Sequence, residues 1–138
     1  MSYYDKDGNI RAELLDAEAE KIAKSFIRYR QDTRRGGQMV DTRGSLTSAQ
    51  LRRFYGDFKQ LQNKVGAQGF NRVKPLIKMV KSKAAYAANP NNRKIPDTFR
   101  DFLVKNVDAI NDEKDFEAFM LHFEAVVGFF YGHGVSNN

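Results

Sequence analysis

From Leu46 to Val65 the chain has little choice but helix. Leu51, Phe54, Tyr55, Phe58, Leu61 and Val65 recur at helical spacing and fall on one face. Thr47 followed three residues later by Gln50 has the form of a capping box, in which side chains satisfy orphan backbone N–H groups of the first turn. Leu46, ahead of the cap, is placed to pack on Leu51 at the fourth helical position as a hydrophobic staple. One polar flank carries Arg52 and Lys59, two turns apart, with no acidic residue beside them. Arg53 stands four residues before Asp57, the spacing of an intrahelical ion pair. That pairing leaves Arg52 and Lys59 as the cations of this helix available to a ligand. Gly66 and Gly69 end the segment as C-terminal caps.

Four further segments share the period. Asn9 to Arg30 reads as a first helix with Ile10, Leu14, Leu15, Ile22, Phe26 and Ile27 inward. Acids crowd its first half and bases its second, so the helix dipole alone accounts for Lys21, Lys24 and Arg28. Phe70 to Ala88 reads as a third helix, starting or kinked at Pro75, with Val73, Leu76, Ile77, Val80, Ala84 and Ala87 inward. Lys74, Lys78 and Lys81 climb one of its flanks; Met79, Lys83 and Tyr86 climb the other. Lys83 and Tyr86 lie one turn apart, offering a phosphate contact beside a ring on which a base can stack. The alternative for Tyr86 is packing in the core. Asn89-Pro90-Asn91-Asn92 stops this helix, and a fourth spans Asp97 to Ile110 with Phe99, Phe102, Leu103, Val107 and Ile110 inward. Asn111 or Asp112 caps a fifth, with Phe116, Phe119, Met120, Phe123, Val127 and Phe130 inward and Gly132 at its end. Its outer face, with Glu113, Asp115, Glu117 and Glu124, is acidic and suits a basic protein neighbour. No segment reads convincingly as a strand. The expectation is an all-α fold, a compact bundle of about five helices forming one domain over residues 1–138. Gln31 to Ser45, with Arg34, Arg35 and Arg43 among its glycines, reads as a flexible basic loop at about residues 31–45. It is either a plain linker or a segment that orders on nucleic acid.

Little here points to catalysis. With no cysteine there is neither a disulfide framework nor a thiolate metal site. His122 and His133 lie eleven residues apart, outside metal-ligand spacing, and His122 reads as a half-buried residue hydrogen-bonded locally. No nucleophile–base pairing and no phosphate-cradling glycine motif can be found, so no enzymatic activity, cofactor or metal is expected. No apolar run is long enough to cross a bilayer and the first residues are polar, which predicts a cytoplasmic protein without membrane attachment.

Charge is informative through its distribution. Residues 21–94 hold 18 Lys and Arg against three Asp and Glu, whereas acidic residues outnumber basic ones on both sides of that span. A basic middle between acidic ends is the footprint of a polyanion binder. The candidate contacts are Arg52, Lys59, Lys78, Lys81, Lys83 and Arg93, with Arg34, Arg35 and Arg43 from the loop. Two other classes fit the same charges. One is a helical protein–protein scaffold whose basic face docks an acidic partner. The other is a small DNA-binding helical protein in which the Gly66–Gly69 turn joins helices two and three.

Three segments in order resemble one family. Leu46-Thr47-Ser48-Ala49-Gln50-Leu51-Arg52, then Lys83-Ala84-Ala85-Tyr86-Ala87-Ala88 leading to Arg93, then Phe123-Glu124-Ala125-Val126-Val127-Gly128-Phe129-Phe130-Tyr131 are similar to the small helical subunit of the type III-A CRISPR effector, the Csm complex. Asn89-Pro90-Asn91-Asn92 stands where that family has a tighter turn, and Gly128-Phe129 where Ala-Tyr is usual. The resemblance implies a non-catalytic subunit, several copies of which associate with one another as a filament. Such a filament lies beside the repeating backbone subunit and lines the channel that holds guide RNA paired with target RNA. The chemistry would then belong to the backbone subunit and the large subunit. Basic side chains would hold the RNA backbone, positioning it without reading sequence. Arg52, Lys83 and Arg93 fall within the matching motifs.

Overall fold

The computed structural model describes residues 2–133. Its helices are Ala17–Ser25 (α1), Ser48–Gln68 (α2), Phe70–Ala87 (α3), Asp97–Ala109 (α4) and Glu113–Gly132 (α5), with 3-10 turns at Ala12–Leu15 and Pro90–Asn92. Two three-residue strands, Tyr29–Gln31 (β1) and Gln38–Val40 (β2), pair antiparallel. The expected helical bundle is therefore present, with one small hairpin added to it.

The two caps follow side-chain chemistry. Thr47 Oγ1 accepts the Gln50 amide at 3.2 Å, and Leu46 and Leu51 beside it are both fully buried. Asp112 caps α5 by accepting the Asp115 amide at 2.8 Å. Between α2 and α3 the chain turns on one residue. Gly69 adopts φ 88 and ψ 153, a conformation almost restricted to glycine, and its N–H donates to the Val65 carbonyl at 2.8 Å. Gly66 stays inside the helix, so only the second of the two expected caps operates. α3 begins at Phe70 and runs through Pro75, rather than beginning there.

The helices close into a ring: α1 packs on α5 and α4, α4 on α3, α3 on α2, and α2 on α5. Aromatic rings fill the centre. Phe26, Phe58, Phe99, Phe119 and Phe123 are all within 1% of complete burial. Phe58 meets Phe119 edge-on at 4.9 Å between centroids, and Phe26 meets Phe99 at 5.1 Å. Each such side chain contributes about 1.5–3 kcal/mol on burial, and aromatic pairs add about 0.5–1.5 kcal/mol.

The first helix departs from expectation. Residues 9–30 form a short 3-10 turn and α1, and the chain leaves the helix at Phe26. Phe26 and Ile27 are buried as the periodicity predicts, but from the turn that closes α1 rather than from a continuing helix. The Phe26 carbonyl accepts the Leu46 amide at 2.9 Å, and the Arg28 amide donates to Ser45 Oγ at 2.8 Å. These bonds from a distant segment replace the helical ladder and start the hairpin. At its tip Gly36 and Gly37 both have positive φ, 75 and 77, and Asp32 Oδ1 accepts the amides of Arg34 and Arg35. At its base a Cβ on Gly44 would lie 2.7 Å from Arg28 Cδ and 2.8 Å from Asp41 Oδ2, so a larger residue there would displace those two side chains.

Candidate nucleic-acid interface

α2 and α3 fold back on each other at Gly69, and a cleft runs along the seam between them. Gln50, Arg53, Phe54 and Asp57 from α2 face Ser82, Lys83, Tyr86 and Ala87 from α3, with Asn92 and Lys94 closing one end. The cleft has a volume of about 450 Å³. Phe54 and Ala87 make an apolar floor, Phe54 being itself part of the core. Arg53, Lys83 and Lys94 supply three cations against the single carboxylate of Asp57. A shallower continuation of about 150 Å³ runs along the same seam past Lys64, Leu76 and Met79.

Arg53 is a residue the sequence reading set aside. Its four-residue spacing to Asp57 suggested an ion pair, yet among the described residues Arg53 forms none and turns into the cleft instead. Lys94, Gln50 and Asn92 were also missed, because only the fold brings them beside α3. Tyr86 was open between core and surface, and at 68% exposure it is a surface residue. Leu76, expected inward, is 37% exposed on the same seam.

The other expected contacts are dispersed. Lys78 is turned inward along the molecule: its Nζ donates to the carbonyls of Val107 and Ile110, each at 2.7 Å. Those carbonyls end α4, where the helix dipole favours a cation. Burial, followed by the charges of Lys74 and Lys81, lowers the Lys78 pKa. Lys74 reaches the Asn111 carbonyl at 3.1 Å, and Lys81 pairs with Asp108, whose pKa falls chiefly through that hydrogen bond. This flank of α3 is thus a clamp on the end of α4. Arg93 pairs with Asp97 at 3.5 Å and lines a separate cleft of about 200 Å³ with Arg28 and Gly44, on the other side of the chain from Lys94. Arg52 and Lys59 are exposed on α2 and line neither part of the α2–α3 seam. Arg34 and Arg35 sit at the exposed hairpin tip and Arg43 at its base.

His122 is not half-buried but fully enclosed, and its partner is distant: Nδ1 lies 2.5 Å from the Leu14 carbonyl. Burial lowers its pKa, outweighing that hydrogen bond and the Glu18 charge, which favour the protonated ring. No group of three or more His, Asp or Glu able to hold a metal occurs among the described residues, and none of their helices is long and apolar enough to cross a membrane.

Fold and surface together define a small helical protein with a cationic cleft between two of its helices. The chain belongs to the Csm2 type III-A family, whose model matches residues 9–134. It is therefore a small subunit of the type III-A CRISPR (Csm) complex, from a family of structural subunits. No curated protein and no solved structure matches the chain.

Proposed function

We propose that this subunit holds RNA by its backbone inside the Csm complex, without catalysing a reaction, and that copies of it associate beside the repeating backbone subunit and the large subunit. The observation that carries the reading is the α2–α3 cleft, where Arg53, Lys83 and Lys94 converge on one side of the molecule. Cations around a partly apolar trough suit a polyanion of variable sequence, as guide RNA paired with target RNA must be. Arg52 and Lys59 extend the basic surface along α2, and Arg34, Arg35 and Arg43 add a basic hairpin. Arg93 serves from the neighbouring cleft. Lys78 and Lys81, engaged at the end of α4, contribute to the field and less to direct contact. A cytoplasmic location accompanies this role.

The test is binding of the purified protein to single-stranded RNA, guide–target RNA duplex and DNA duplex over a salt series. RNA affinity should fall steeply with salt and depend little on sequence, with a log–log slope of about 0.7 per phosphate neutralised on single strands. Arg53→Glu with Lys83→Glu should weaken binding and flatten the slope while helical content is unchanged. Sequence-selective binding of duplex DNA would favour a DNA-binding protein instead. Absence of binding to all three at low salt, together with intact assembly of the double variant into the complex, would favour a scaffold that docks an acidic partner.

A further inference from the structure

The α2–α3 cleft is more than a charged surface. Three features distinguish it from the other basic sites. Its floor is apolar, from Phe54 and Ala87. Its rim carries Tyr86, 68% exposed, whose hydroxyl makes no hydrogen bond among the described residues. Beside the ring stand the carboxamides of Gln50 and Asn92, also without side-chain partners among the described residues. A phosphate backbone needs cations only. It has no use for an apolar floor, a displayed ring and two groups that both donate and accept.

We infer that the cleft takes one unpaired nucleotide of an RNA strand, with its base against Tyr86 and the apolar floor and its phosphate among Arg53, Lys83 and Lys94. This rests on the reading of the protein as an RNA-binding subunit and makes it narrower. Size supports one nucleotide: about 450 Å³ lies within the range of about 300–1,000 Å³ that small-molecule sites occupy. The base must be splayed from any duplex, because side chains cannot reach bases stacked in an A-form helix through its deep, narrow major groove. Stacking is indifferent to base identity, since every base has a π-face. Gln50 and Asn92 each offer donor and acceptor together, which satisfies the polar edges of purines and pyrimidines alike. The site therefore holds a nucleotide firmly and selects weakly among the four.

The experiment uses the whole protein in two arms. In the first, AMP, UMP and inorganic phosphate are titrated while the backbone amide resonances of cleft residues are followed by NMR. Both nucleotides should shift Lys83, Tyr86, Ala87 and Lys94, phosphate much less, and Tyr86→Ala should abolish the nucleotide-specific part while Tyr86→Phe keeps it. In the second arm, single-stranded RNA carrying 2-aminopurine is bound. Its fluorescence should be quenched, and Tyr86→Ala should weaken affinity about fivefold or more, the loss expected for one stacked base. Equal shifts from phosphate and nucleotides, or RNA affinity within twofold of wild type in Tyr86→Ala with no quenching, would overturn the nucleotide site while leaving backbone binding in place. No RNA binding and no nucleotide shift would overturn both. Shifts of the cleft residues on concentrating the protein alone, with none from nucleotide, would assign the cleft to a second copy and likewise overturn the inference.

Discussion

His122 shows how one side chain ties stability to acidity. Its ring is enclosed, with Nδ1 on the Leu14 carbonyl and Nε2 without a partner among the described residues. The charged groups nearest it, Glu18 on one side and Arg11 and Lys105 on the other, oppose one another, and burial decides the direction of the shift. The folded pKa lies below the ordinary value, so as pH falls the unfolded chain binds the proton first. Stability is thus intact above about pH 6.5 and declines below it, by up to about 1.4 kcal/mol per pH unit. Calorimetric melting at pH 7.5, 6.5 and 5.5 should show this decline, and His122→Leu should flatten it over that window. An equally steep decline in the variant would place the acid sensitivity elsewhere. The sequence marked His122 as a helix residue but held no sign of its partner, because Leu14 is 108 positions away.

At the scale of elements, the α3–α4 clamp separates structural from surface lysines. Lys78→Met keeps the stem and removes the donor from the Val107 and Ile110 carbonyls. It should cost about 1–3 kcal/mol in chemical denaturation and leave RNA affinity nearly unchanged. An unaltered denaturation midpoint with weakened RNA binding would reverse that assignment. The lysine spacing was visible in sequence, but a flank facing a neighbouring helix and a flank facing solvent have the same period. The same contrast governs the rest of the fold. α2 was legible because Thr47 caps its start locally, although the Gln50 side chain does not return the bond that a full capping box would have. The end of α1 was not, since Leu46 and Ser45, far along the chain, bind Phe26 and Arg28 and override a continuing helical pattern. The hairpin strands are three residues each and almost wholly exposed, so no alternation of burial announced them.

On the scale of the whole molecule, the outer stripe of α5 presents Glu113, Glu117 and Glu124 with Leu121 and Tyr131, 47% and 40% exposed, while the α2–α3 cleft gathers Arg53, Lys83 and Lys94. Copies associating through this opposition should sediment above monomer mass at low salt and revert at 1 M, where the screening length is about 3 Å. Glu117→Lys with Glu124→Lys should remove the association, and strict monomers at every salt would count against it. The basic middle of the sequence contains all three cations of the cleft. It did not foretell which cations meet, since Lys83 joins Arg53 and Lys94 only through the fold-back at Gly69. The ring of helices also has a consequence in time. Because α1 finishes the circle by packing on α5 as well as on α4, a growing chain that has not yet made α5 can lean its first helix on one wall at most. Tyr3 has no Asn106 to bond until α4 is made, and Leu14 has no His122 until α5 is made. Closure therefore waits on translation, and the earliest residues made are among the last to settle.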